Sequence, residues 1–322
     1  MKYLAIIPKT LLPLLWLACQ AAAGPPEPKD WNGSPRFHDP STPIREGDSW
    51  YCFSTGNGIS SRTSADLKTW HDAGPVFKEL PAWHREVIPD HRGYLWAPDI
   101  IHLKDRYLLY YSVSGWGKNV SAIGLASSPT LDPKSPACQW KDEGIVIRSG
   151  KGDPYNAIDP QLFSDSDGSL WMVFGSFWTG IQLVELDPAT GHRRADRREV
   201  RQLAWNESIE APALLKHGGY YYLFSNWGLC CRGLNSSYEI RIGRSEKITG
   251  PYLDAAGNEL KTGGGTLFLK SQDDRVGPGH PSFIEEKDGT RMFFHYYDRQ
   301  RGGFATIGSL PVRWTDDGWP TH

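Results

Sequence analysis

The sequence predicts an all-β fold, a five-bladed β-propeller, from three observations. A proline followed by an alternating apolar run, a polar turn and an aromatic-rich run recurs five times, at His38-Asp39-Pro40-Ser41, Trp96-Ala97-Pro98-Asp99, Ile158-Asp159-Pro160-Gln161, Glu210-Ala211-Pro212-Ala213 and Gly279-His280-Pro281-Ser282. The prolines stand 58, 62, 52 and 69 residues apart, the length of one unit of short strands in a propeller. The segments Trp70-His71-Asp72-Ala73-Gly74-Pro75-Val76 and Trp140-Lys141-Asp142-Glu143-Gly144-Ile145-Val146 share the spacing W-x-D-x-G-x-V. Finally, a third alternating run closes each repeat, at Ile59 to Ser64, Ile123 to Ser128, Ile181 to Leu186, Ile240 to Ser245 and Thr306 to Leu310.

Taken in order, residues 1–23 read as a secretory signal peptide. Lys2 and Lys9 give a positive start, Leu11 to Ala18 an apolar run too short to span a bilayer, and Ala21-Ala22-Ala23 a small-residue cleavage site. Residues 24–34, with Pro25, Pro26 and Pro28, form a lead-in. The propeller domain is placed at 35–322, with second strands at Trp50–Phe53, Tyr107–Tyr111, Leu170–Phe174, Tyr220–Phe224 and Met292–His295. Trp50, Tyr107, Trp171, Tyr220, Tyr221 and Tyr222 fall on these strands and are expected to pack between blades. The charge-rich run Ala189 to Arg201 reads as a solvated turn, and Asp165-x-Asp167-Gly168 as a hairpin turn that lacks the other ligands of a calcium loop.

A net charge of -2 with acids and bases well mixed leaves no electrostatic footprint for nucleic acid or an acidic membrane surface, so neither is expected as a partner. Removal of the signal leaves Cys52, Cys138, Cys230 and Cys231. An even count in an exported protein permits disulfides without fixing their pairing; Cys230-Cys231 is open to a strained vicinal bridge or to two thiols. No Cys-x-x-Cys or His-Glu-x-x-His pattern suggests zinc. Asn32, Asn119, Asn206 and Asn235 begin Asn-x-Ser sequons, which matter in a eukaryotic host.

The first strand of each propeller blade lies nearest the central channel, so residues beside the five prolines gather round the axis at one end. There the sequence holds Asp39, Asp159, Glu210 and His280. Aspartate before proline is a common turn opener, and singly each has that reading. Together they bring like charges into one cleft, which costs stability and perturbs pKa values. Grouped carboxylates in an aromatic-rich exported chain point to glycoside hydrolysis, which needs one protonated acid and one ionised carboxylate flanking the bond.

The motifs His38-Asp39-Pro40, Trp96-Ala97-Pro98-Asp99, Asn156-Ala157-Ile158-Asp159-Pro160, Gly175-Ser176-Phe177-Trp178-Thr179-Gly180-Ile181, Ile209-Glu210-Ala211-Pro212, Cys230-Cys231-Arg232-Gly233, Gly263-Gly264-Gly265-Thr266, Gly277-Pro278-Gly279-His280 and Asp317-Gly318-Trp319-Pro320 resemble those of arabinan endo-1,5-α-L-arabinosidases of glycoside hydrolase family 43, in the same order over nearly the whole mature chain. The resemblance implies an inverting mechanism with Asp39 as general base, Glu210 as general acid and Asp159 as the acid that orients Glu210 and tunes its pKa. A negative Asp159 would keep Glu210 protonated, and inversion requires carboxyls roughly 6.5 to 9.5 Å apart. It also places one Ca²⁺ beside His280, where water must fill most of a shell of six to eight oxygens. Pro281 follows His280 where a small or polar residue is common in the family.

For sugar binding, Trp96, Asn156, Ser176, Trp178 and Asn226 are the candidates, with aromatic faces to stack on furanose rings and polar groups to orient them. The implied protein is secreted, acts on arabinan of pectin side chains, and is by default a monomer. An exo-acting α-L-arabinofuranosidase or β-xylosidase shares the chemistry and differs in cleft shape. A non-catalytic glycan-binding propeller would be expected to lack one of the three acids.

Overall fold

The computed structural model describes residues 35–322; the signal and lead-in expectations for residues 1–34 lie outside them. Five of the six antiparallel sheets of the described residues form successive blades around a central channel, and the sixth is a two-stranded ribbon of Arg313–Trp314 and Pro320–Thr321. Blade 1 is Ile44–Glu46, Ser49–Ser54, Ser60–Ser64 and His71–Pro75. Blade 2 is Tyr94–Leu103, Arg106–Ser114, Ser121–Ser128 and Lys141–Ser149. Blade 3 is Gln161–Ser164, Leu170–Phe174, Ile181–Leu186 and Arg201–Ala204, and blade 4 is Ile209–His217, Tyr220–Trp227, Glu239–Ser245 and Thr266–Leu269. Blade 5 has three strands, Arg275–Glu286, Gly289–Asp298 and Phe304–Pro311. The ring closes where Phe37 N–H donates to Ala305 C=O of blade 5 at 3.0 Å and Ser282 Oγ donates to Ser41 C=O at 3.2 Å.

Period-two alternation explains the packing, because each strand shows opposite faces to the two neighbouring blades. On one strand of blade 2, Leu109 and Tyr111 enter the core shared with blade 1, while Leu108 and Tyr110 enter the core shared with blade 3. The tyrosines of blade 4 divide in the same way, Tyr221 toward blade 3 and Tyr222 toward blade 5. Each fully buried side chain of this kind contributes roughly 1.5–3 kcal/mol. The junction of blades 5 and 1 differs. Its apolar part is small, around Phe37, Cys52 and Trp70, and its inner part holds the buried polar residues Ser41, His38 and His295.

The W-x-D-x-G-x-V segments supply the outer strands of blades 1 and 2. Gly74 and Gly144 both sit at φ 86° beside a register shift, so glycine supplies the left-handed residue of an edge bulge. Asp165 to Ser169 is a hairpin turn, with Gly168 N–H donating to Asp165 C=O at 3.0 Å, and Asp165 binds Lys216 Nζ at 2.5 Å. Cys52, Cys138, Cys230 and Cys231 are free thiols.

Candidate active site

The residue before each of the five prolines adopts a left-handed backbone: Asp39 at φ 54°, Ala97 at 45°, Asp159 at 59°, Ala211 at 49° and His280 at 57°. Each of these corners also donates its N–H to a side chain of the preceding blade. Asp39 donates to His295 Nδ1 at 3.1 Å, Ala97 to Thr55 Oγ1 at 2.8 Å and Asp159 to Ser112 Oγ at 3.1 Å. Ala211 donates to Asp159 Oδ2 at 3.2 Å, and His280 to Asn226 Oδ1 at 2.9 Å. A left-handed corner costs an ordinary residue about 1–2 kcal/mol and buries an N–H that needs a partner. The ring of five acceptors answers the second requirement.

This register corrects the sequence expectation in one respect. Asp39, Asp159 and His280 share a repeat position, but Glu210 lies one residue earlier, equivalent to His38, Trp96, Ile158 and Gly279. Glu210 therefore approaches the cleft from the strand beside the corner. The acceptors have a register too: Thr55, Ser112, Asn226 and His295 each lie opposite the residue before their own blade's corner. In blade 3 that place is Gly175, whose N–H meets Ile158 C=O at 2.8 Å and whose added Cβ would lie 2.4 Å from Gly180 O. With no side chain available there, the carboxylate of Asp159 takes over and clamps the backbone next to Glu210.

Asp39 receives Thr55 Oγ1 on Oδ2 at 2.5 Å and meets His38 Nδ1 at 2.9 Å; the Nδ1 atoms of His280 and His295 each lie 3.6 Å from its Oδ1. Burial opposes its charge, but His38, then His280 and His295, hold the carboxyl far below the usual range. Burial likewise opposes a charged His38, and the Asp39 carboxylate overcomes it, raising His38 well above its ordinary value. The two form an ion pair. His38 Nε2 lies 2.8 Å from Tyr297 OH, and His38 stacks on His295 with ring centroids 4.2 Å apart.

Glu210 receives Ser176 Oγ on Oε2 at 2.7 Å and Tyr238 OH on Oε1. Burial pushes its carboxyl up against these two hydrogen bonds. Asp159 is pushed well above the carboxylate range by burial first and by the charges of Glu210 and Asp39 next. The leading cause that raises Glu210 is thus burial, where the sequence expectation gave that part to a negative Asp159.

The residues expected to bind sugar fall in different surroundings. Ser176 holds Glu210. Trp178 is 41% exposed, its carbonyl taking Trp205 Nε1–H at 3.0 Å, and half-buried Trp96 stands edge-on to the 74% exposed Trp116 at 6.3 Å. Asn156 is buried, its Oδ1 accepting Ser121 Oγ–H at 2.6 Å. Asn226 has no exposed surface: its oxygen holds the His280 corner and its amide donates to Pro278 C=O at 3.2 Å, so it cannot lie against a sugar. Sequence reasoning missed His38, Thr55, Tyr238, His295 and Tyr297. Aligning the second strands would have put Thr55 and His295 in one column; Tyr238 has no such signal.

Among the described residues, the ionisable groups recorded around His280 are the Asp39 carboxylate and the imidazoles of His38 and His295. His38, Asp39 and His295 bring ligand atoms within 4.8 Å of one another, but they are already paired internally. Burial lowers the His280 pKa, which leaves a neutral imidazole. These residues do not by themselves compose the oxygen shell that Ca²⁺ takes.

The sequence profile of glycosyl hydrolases family 43 matches residues 34–320. The chain belongs to that family. It is a glycoside hydrolase, and the family 43 propeller recurs in solved relatives. An alpha-L-arabinanase of Cellvibrio cellulosa, solved in complex with arabinohexaose, superposes with a TM-score of 0.85 at 40% identity, over 89% of this chain and 95% of that one. An extracellular endo-alpha-(1->5)-L-arabinanase of Bacillus subtilis is 40% identical over 94% of this chain and 92% of its own length. An extracellular exo-alpha-(1->5)-L-arabinofuranosidase of Cellvibrio japonicus is 43% identical, over 88% and 85%.

Proposed function

We propose that this family 43 enzyme is secreted and cleaves internal α-1,5-L-arabinofuranosidic bonds of arabinan by a single displacement with inversion. The observation that carries the reading is the meeting of Asp39, Asp159 and Glu210 at one end of the channel of a propeller so similar to arabinanases. Buried Glu210 keeps a proton to give to the leaving oxygen. Asp39, kept ionised by His38, orients a water on the opposite face of the sugar and takes its proton as the transition state forms. Asp159 holds the backbone at Ala211 and so fixes the approach of Glu210. Trp96 and Trp178 offer aromatic faces for furanose rings. Export is supported by the extracellular relatives and by the composition of residues 1–23.

A second reading, exo action with release from a chain end, is favoured by the 43% identity to the Cellvibrio japonicus exo-acting relative. Size-resolved products of linear α-1,5-arabinan over time separate the two. Oligosaccharides of mixed length in the first minutes are expected; a single short product from the start would establish exo action. Arabinan left intact would remove both readings.

A further inference from the structure

We propose that Cys231 is a covalent modification site of the cleft, taking small uncharged electrophiles of the disulfide class, and that an adduct there shuts the active site. The inference rests on Asp39, Asp159 and Glu210 being the catalytic acids.

Cys231 is exposed, whereas Cys52 is buried and Cys138 partly so. Its Sγ lies 3.7 Å from His38 Nε2, the imidazole whose other nitrogen pairs with Asp39. Its N–H donates to Tyr297 OH at 2.7 Å, and its backbone is left-handed at φ 65°, so the loop carrying the thiol is pinned to the residues that hold the general base. His38 therefore favours sulfur as an anion, while Asp39 and burial oppose it. With Cys230 as the largest cause and His38 next among those that lower it, Cys231 is brought down to about 5, while hydrogen bonding and burial drive Cys230 up. The charges facing Cys231 also include the ionised carboxylate of Asp39, while Asp159 and Glu210, both raised, feel the sulfur's field. The Asp39 charge favours an uncharged reagent over an anionic one.

The reaction balances without a further reactant. Cys231 Sγ attacks one sulfur of a disulfide RSSR, a new S–S bond forms as the old one breaks, and the departing RS⁻ takes a proton from solvent. The thiolate has been oxidised and one half of the reagent reduced. The attached group then sits on the sulfur that touches His38, the imidazole paired with Asp39.

The test treats the folded enzyme with 2-hydroxyethyl disulfide, maps adducts by peptide mass spectrometry and follows arabinan hydrolysis in parallel. Expected are an adduct on Cys231 ahead of Cys138, at least a tenfold fall in rate, and recovery with dithiothreitol. Cys231→Ser should keep its own rate through the treatment, and Cys138→Ser should be inhibited like the parent. Slower labelling of Cys231 than of Cys138, full labelling with unchanged hydrolysis, or inhibition of Cys231→Ser would overturn the proposal. If untreated enzyme fails to cut arabinan, the functional reading fails separately; adduct mapping still decides the reactivity of Cys231.

Discussion

Ala97 and Asp39 occupy the same corner in neighbouring blades, with φ of 45° and 54°, and each gives its N–H to a side chain of the preceding blade. Ala97 carries a buried methyl group. Asp39 carries a carboxylate gathered by Thr55 and His38. The difference separates two things that sequence motifs merge: the left-handed pre-proline corner is a device of the fold, repeated five times, and the chemistry is added by the side chain placed on it. Thr55 joins the two. Its hydroxyl oxygen accepts from Ala97 N–H while its hydrogen goes to Asp39 Oδ2.

The strongest way to break the comparison is to alter the two corners in parallel. Asp39→Asn should slow arabinan hydrolysis by about 10²- to 10⁴-fold, the usual contribution of a positioned acid or base. Ala97→Gly should leave the rate unchanged. Similar losses in both would mean that the corner itself, and not its carboxylate, governs turnover.

Thr55→Val keeps the shape and removes both hydrogen bonds. Urea unfolding should show a loss of about 1–3 kcal/mol from the orphaned Ala97 N–H, with a fall in activity as Asp39 loses a donor. A loss in activity alone would show that the corner holds without its acceptor.

The pH profile sharpens the account of Glu210. As the proposed acid Glu210 must carry a proton, so activity should be lost as pH rises through its raised pKa. Tyr238 and Ser176 donate to the ionised form and lower that pKa. Removing the phenol in Tyr238→Phe should therefore move the basic limb of kcat/KM to higher pH. A limb displaced to lower pH would contradict the hydrogen-bond assignment. Stability follows the same sign: the raised Glu210 pKa contributes stability at low pH that is lost as pH rises through it.

The smallest effect belongs to the backbone. Glycine relieves the left-handed strain at Ala97 but loosens the unfolded chain, so thermal unfolding of Ala97→Gly should place it within about 1 kcal/mol of the parent. A larger loss would assign the methyl group a packing role that the corner account does not give it.

The fold was legible because propeller blades repeat: prolines, alternating strands and the W-x-D-x-G-x-V edges each left a periodic trace. Asp39 and Asp159 were legible for the same reason, as repeat positions with unusual residues. Glu210 was found through its motif, but its one-residue offset was not, because spacing to a proline does not show which residue turns the corner. The corner-holding part of Asn226 was not legible, since sequence cannot tell an amide facing a cleft from one holding a corner. Tyr238 and Tyr297 reach the acids across blades, through contacts of long sequence separation that no local pattern records.

The most direct test is proton NMR of linear arabinan during the first turnovers, with wild-type enzyme and Glu210→Gln side by side. The account predicts that newly formed reducing ends appear first in the β configuration, inverted from the α-linkage, and that Glu210→Gln forms them far more slowly. Reducing ends that appear first as α would contradict a single displacement between Asp39 and Glu210, and equal rates in the two proteins would remove Glu210 as the acid.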